Sequence, residues 1–233
     1  MSGTVNLGES KMKNRVCTAL ILSALIGWTC GAVTVDIDQI RDDPNLLAWA
    51  DRAKELIEQW HPRLLNMIPT RDFEVPSDIA LVFRKGDSGI AWTSDNRITV
   101  MSGWIGAHPD DIGLVFHELV HVVQCYKSRL PGWITEGIAD YLRWAIYEGK
   151  PQSWFPVSNK TNGYRDSYRV AAGFFLWLET DRCPGIVNRI NTAARKGDYK
   201  DAIFSRLTGA SLESLWADYM ADRKKEQAPQ TGK

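Results

Sequence analysis

Residues 113–141 read GLVFHELVHVVQCYKSRLPGWITEGIADY, and this stretch decides the fold. Within it, His117-Glu118-Leu119-Val120-His121 has HExxH spacing. Side chains four apart share one face of an α-helix, so two imidazoles there can grip one metal ion at about 2.0–2.1 Å each. One residue more or less would turn a histidine roughly 100° away. Glu118, next to the first ligand, points past the metal and can take a proton from a bound water. Leu114, Val115, Phe116, Leu119, Val120, Val122 and Val123 make the rest of the helix apolar, which predicts burial. The plainer alternative is a surface helix with two solvated histidines. Burial argues against it, because buried imidazoles and a buried carboxylate need partners, and a metal supplies them.

A catalytic zinc ion takes three protein ligands and keeps a position for water. Glu136 follows His121 across the Pro131-Gly132 turn, and two antiparallel helices joined there bring it back to the metal. Gly137 is expected to let those two helices approach closely. Asp140 lies one turn further on the same face and is the rival ligand. If Glu136 binds instead, Asp140 can orient a ligand histidine through its second ring nitrogen.

Working outward, Pro44 and the spacing of Leu46, Leu47, Ala50, Ala53, Leu56, Ile57 and Trp60 predict a helix over 44–68, kinked or ended by Pro62. Strands are predicted at 79–83, 89–93 and 97–101, with the turn Ser94-Asp95-Asn96 before the last. The metal-binding helix is expected over 109–126, opened by Pro109 and Asp110-Asp111. Its partner should span 133–147. A loop follows over 149–163, then helices at about 164–180, 184–196, 198–207 and 211–225. His61 and His108 each precede a proline and are expected at element ends without a role. Arg223-Lys224-Lys225 reads as a solvated helix end.

The first residues stand apart. Lys11, Lys13 and Arg15 precede the uncharged run VCTALILSALIGW (16–28), and Cys30-Gly31-Ala32 offers small side chains for cleavage. This predicts a secretory signal over 1–32, cut after Ala32. The rivals are an uncleaved anchor, for which the run falls short of the ~20 residues needed, and a lipoprotein, for which Trp28 spoils the lipobox. Export places the protein in the periplasm or outside the cell, with no stable membrane association after cleavage. A bridge between Cys125 and Cys183 is then open, against two separate thiols.

The whole chain has 233 residues, with 28 basic and 28 acidic side chains, which gives no basic surplus and argues against nucleic acid as a partner. Removing 1–32 leaves the balance slightly acidic. Hydrophobic residues are 44%, enough to exclude wholesale disorder. With no repeat or long linker, one monomeric domain over 33–226 is expected, with a flexible tail at 227–233.

Several stretches together resemble the basic secretory protein family, within the gluzincin (HExxH…E) metallopeptidases. Gly89-Ile-Ala-Trp-Thr-Ser-Asp-Asn-Arg-Ile-Thr-Val100 is similar to that family's Gly-Val-Ala-Tyr-Thr-Ser-Asp-Asn strand–turn–strand. His117 to Gln124 resembles its active-site helix, and Glu136-Gly-Ile-Ala-Asp-Tyr141 its following helix. Tyr168-Arg-Val-Ala-Ala-Gly-Phe-Phe resembles its Gly-Tyr-Asp-Val-Thr-Ala-Arg-Phe helix, and Leu212 to Tyr219 its closing Leu-Trp-Asp-Tyr helix.

The resemblance implies an α+β, zincin (peptidase MA-like) fold: a small mixed sheet packed on the active-site helix, with a mostly helical C-terminal half. It implies a secreted zinc metallopeptidase acting on peptide or protein, with Zn2+ on His117, His121 and Glu136 and with Glu118 as general base. Tyr168 becomes the candidate oxyanion donor, with Tyr164 as alternate and a plain core tyrosine as the other reading. By the same analogy, a substrate pairs with the sheet edge around Ala91–Val100. Two departures stand out. The chain is not basic, and Ala171-Ala172-Gly173 replaces Thr-Ala-Arg, which removes an arginine. Two other functions remain open: a non-catalytic secreted protein keeping its metal as a clamp, and a zinc hydrolase acting on glycosylated or cell-wall material. Trp92, Trp104, Trp133 and Trp154 could line a groove for the latter, or simply pack.

Overall fold

The computed structural model describes residues 30–227. The predicted signal segment up to residue 29, and the tail from 228, lie outside the described residues. The chain is α+β: a four-stranded sheet on one side of the metal-motif helix, and helices after it.

Strand β1 (Val33–Asp36) is an addition to the three strands expected from the sequence. It pairs in parallel with β2 (Ile79–Arg84), and β2 pairs in parallel with β4 (Arg97–Met101). β3 (Ala91–Ser94) runs antiparallel to β4, giving the order β1-β2-β4-β3. β2 and β4 are apolar and buried because both lie inside the sheet. Within the stretch Ala91–Val100, β3 is therefore the edge strand, while β4 is paired on both sides.

Helix α1 (Pro44–Met67) opens on Asp43, whose carboxylate accepts the N–H groups of Asn45 (2.9 Å) and Leu46 (3.2 Å). The helix covers the expected span to within one residue and runs on through Pro62, which does not end it. A proline inside a helix loses a hydrogen bond and costs about 3 kcal/mol. Ala53, Ile57, His61 and Leu64, all fully buried on one face, outweigh that cost.

Short α2 (Ser102–Ala107) follows β4 directly and was not expected. α3 (Gly113–Gln124) starts at Gly113 rather than at Pro109. The reason lies in Asp111, which does not cap a helix. Its carboxylate accepts the Trp104 indole N–H at 3.0 Å and pairs with Arg143, while its own N–H turns back to the His108 carbonyl. α3 stops at Cys125, which adopts the left-handed conformation, φ 45°.

α4 (Gly132–Asp140) continues without a break into a π-helical turn, Tyr141–Tyr147. α5 (Tyr168–Trp177) begins later than expected because Ser167 caps it, accepting the Val170 N–H at 3.3 Å. α6 (Ile186–Arg195), α7 (Ala202–Thr208) and α8 (Leu212–Gln227) complete the chain.

Two further expectations are corrected. Gly137 faces α5 rather than α3: a Cβ there would lie 2.7 Å from the Ala171 methyl. Arg223 is buried, donating to the Tyr219 hydroxyl and the Phe155 carbonyl, while Lys224 and Lys225 are exposed. Cys125 and Cys183 are both free thiols, so no bridge joins them. No described helix is long and apolar enough to cross a membrane.

Candidate active site

His117 and His121 project from the same face of α3, as their spacing requires, with their Nε2 atoms 3.1 Å apart. Glu136, on the first turns of α4, brings Oε2 to 3.2 Å from the His117 Nε2 and 3.4 Å from the His121 Nε2. Three ligand atoms from two helices thus converge on one point, and this is the cluster among the described residues that can hold a metal ion.

The outer ring nitrogens fix the tautomers. His117 Nδ1 lies 2.9 Å from Asp140 Oδ1, which can only accept, so Nδ1 carries the hydrogen. His121 Nδ1 lies 2.8 Å from Gln124 Oε1. The Gln124 amide orientation follows from its other end, which donates to the Thr135 carbonyl at 2.9 Å. Both Nε2 lone pairs therefore face each other and a carboxylate oxygen. Three acceptors this close repel unless a cation lies among them, so the donor set fits a divalent metal. Protonation is the other way to satisfy them. Burial opposes it at His117, but hydrogen bonds to Asp140 and Glu136 prevail and lift that imidazole to about 9. Burial likewise raises Glu136, yet hydrogen bonds from His117 and His121 hold it far below the usual carboxylate range.

Asp140 thus stands beside the cluster on the outer nitrogen of His117, and Glu136 is the cluster's third member. Glu118 is not among the three converging residues but lines the same cleft. Its Oε2 accepts the Thr93 hydroxyl at 2.8 Å, and the same hydroxyl lies 2.9 Å from the Glu118 carbonyl. Thr93 belongs to β3, so the edge strand is tied directly to the carboxylate.

The cleft measures about 910 Å³, with Ile90 to Thr93 along one wall and Tyr168 at its rim. Tyr168 is 53% exposed and starts α5. Its hydroxyl is pushed up first by the charge of Glu136, then by burial and Asp140. Tyr164 is buried against Trp133, Phe174 and Trp216 and does not reach the cleft.

Of the four tryptophans, Trp92 alone faces the cleft. Trp104 stacks on His108, Trp133 is core, and Trp154 packs on Trp144 away from the site. An arginine does line the cleft, but it is Arg143, held by Asp111 and Glu148. His61 sits inside α1, fully buried, not at an element end.

Gln124 and Thr93 were not singled out from the sequence. Gln124 carried a signal, since it lies three residues after His121 on the same face. Thr93 lies in the Gly89–Val100 stretch that resembles the family, but its contact with Glu118 joins two separate elements and had no local sign.

The arrangement is a three-residue cluster that could hold a metal ion, in a cleft that also presents the Glu118 carboxylate. The model of the BSP family, described as peptidase of plants and bacteria, matches residues 54–219. That covers most of the chain, and the chain belongs to this family of peptidases. No curated protein and no solved structure matches it.

Proposed function

We propose that the protein is an exported zinc metallopeptidase of the zincin type, cleaving peptide bonds by attack of water. The observation that carries this reading is the convergence of His117, His121 and Glu136 within 3.4 Å of one another beside Glu118. Zinc, when bound, supplies a Lewis acid that polarises a carbonyl and makes water a nucleophile near neutral pH.

The chain's own residues do the rest. His117, His121 and Glu136 hold the ion, with Asp140 and Gln124 setting the two imidazole planes. Glu118 takes the proton of the attacking water on its carboxylate and hands it to the departing amine. The Tyr168 phenol donates a hydrogen bond to the oxygen that gains charge in the transition state. The open edge of β3 pairs with an extended substrate through backbone groups, so that many peptide sequences are accepted. Export rests on the basic and apolar segments before Ala32.

A non-catalytic metal clamp would need the three ligands only. A base held by Thr93 in an open cleft favours an enzyme. The test is metal removal. Dialysis against a chelator should abolish cleavage of an unstructured peptide, and one equivalent of zinc should restore it. Cleavage that persists with no metal bound would overturn the reading.

A further inference from the structure

Opposite residues in an antiparallel pair alternate between those that exchange backbone hydrogen bonds and those that do not. The Met101 N–H donates to the Ile90 carbonyl at 2.9 Å, and the β3–β4 register, carried one residue past Ala91↔Val100, sets these two residues opposite each other. By alternation, Trp92 and Ser94 also turn their peptide groups to β4. Ala91 and Thr93 turn theirs outward. β3 is an edge strand, so among the described residues no neighbouring strand takes them. Both residues line the cleft.

Thr93 therefore has two separate attachments. Its peptide group is open to an incoming chain. Its hydroxyl meets Glu118 at two acceptors, Oε2 at 2.8 Å and the backbone carbonyl at 2.9 Å, and shares its one hydrogen between them. The two are joined through one Cα, on a strand held by β4 on its other side.

We infer that Thr93 is a positioning residue that registers an extended peptide against the base: its backbone takes the substrate while its hydroxyl fixes the Glu118 carboxylate. This rests on the peptidase reading above and adds to it a link between substrate pairing and proton transfer. A base must sit within hydrogen-bond reach of its water, and a small misplacement costs much of its effect. The β-branched Thr suits a strand, and its hydroxyl reaches the helix without distorting either element.

The test uses the zinc-loaded full chain with Thr93→Val and Thr93→Ser. Valine keeps the shape and the peptide group and loses only the hydroxyl. The inference expects kcat to fall about tenfold to a hundredfold in Thr93→Val, the effect of losing one hydrogen bond to a charged group. KM and zinc content should stay within about twofold, because neither the edge nor the ligands change. Thr93→Ser should recover most of kcat. Calorimetric binding of an uncleaved peptide should be equal for Glu118→Gln and for Glu118→Gln combined with Thr93→Val.

Unchanged kcat in Thr93→Val, with an active wild type, would overturn this inference and leave the peptidase reading intact. So would a fall that serine does not rescue and that comes with weakened peptide binding, since that marks a damaged strand. A wild type that binds zinc and cleaves nothing would overturn both.

Discussion

His61 lies in the middle of α1 with no exposed surface and neither ring nitrogen in a well-formed hydrogen bond. Burial lowers its pKa, and the nearby Pro76 backbone offsets only part of that. The sign of the consequence is definite. The unfolded chain takes a proton on this ring below about pH 6.5, and the folded chain resists it. Stability from His61 is thus present above pH 6.5 and is lost as pH falls below it, by up to about 1.4 kcal/mol per pH unit. Urea unfolding at pH 7 and pH 5.5 checks this against His61→Leu. The wild type should lose more stability than the variant over that interval. Equal losses would mean that His61 is protonated in the fold. A histidine before a proline reads locally as a boundary, and only the packing of α1 shows otherwise.

Among the elements, α3 and α4 carry the three converging side chains, and α5 packs on α4. Gly137 is where α4 and α5 meet. A methyl there would stand 2.7 Å from the Ala171 Cβ and 3.0 Å from a Phe175 ring carbon. Alanine favours an exposed helix by about 1 kcal/mol over glycine. Here the contact wins, because Ala171 and Phe175 are both fully buried and cannot move aside cheaply. Gly137→Ala is expected to destabilise the protein by roughly 1–3 kcal/mol. Zinc affinity should weaken with it, since Glu136 is the adjacent residue. Thermal melting with and without zinc measures both, and a melting point raised by the substitution would contradict the packing argument.

Across the whole molecule, what could be read in the sequence was what is local. Two histidines four apart and a glutamate one turn past a Pro-Gly break are set by helix geometry, and the structure brings all three together. The mixed α+β order and most helix spans follow from apolar period alone. Contacts between distant segments were not legible. Thr93 meets Glu118, Arg223 meets Phe155, and β1 finds β2 only once the chain has folded. Whether Pro62 would kink or end α1 was undecided for the same reason, since its local cost is outweighed by burial contributed from other elements. Asp111 shifted the start of α3 by choosing Trp104 and Arg143 over a helix end.

The central claim is that water attacks a peptide bond with Glu118 as its base. The most direct measurement is mass-spectrometric cleavage of a mixed peptide library by the zinc-loaded protein, beside Glu118→Gln with its zinc content confirmed. Glu118 is not among the three converging ligand atoms, so the variant should keep its metal. The account predicts cleavage by the wild type and a loss of at least about a hundredfold in the variant. Equal cleavage by both would contradict the role of Glu118, and equal silence with zinc bound in each would contradict the peptidase itself.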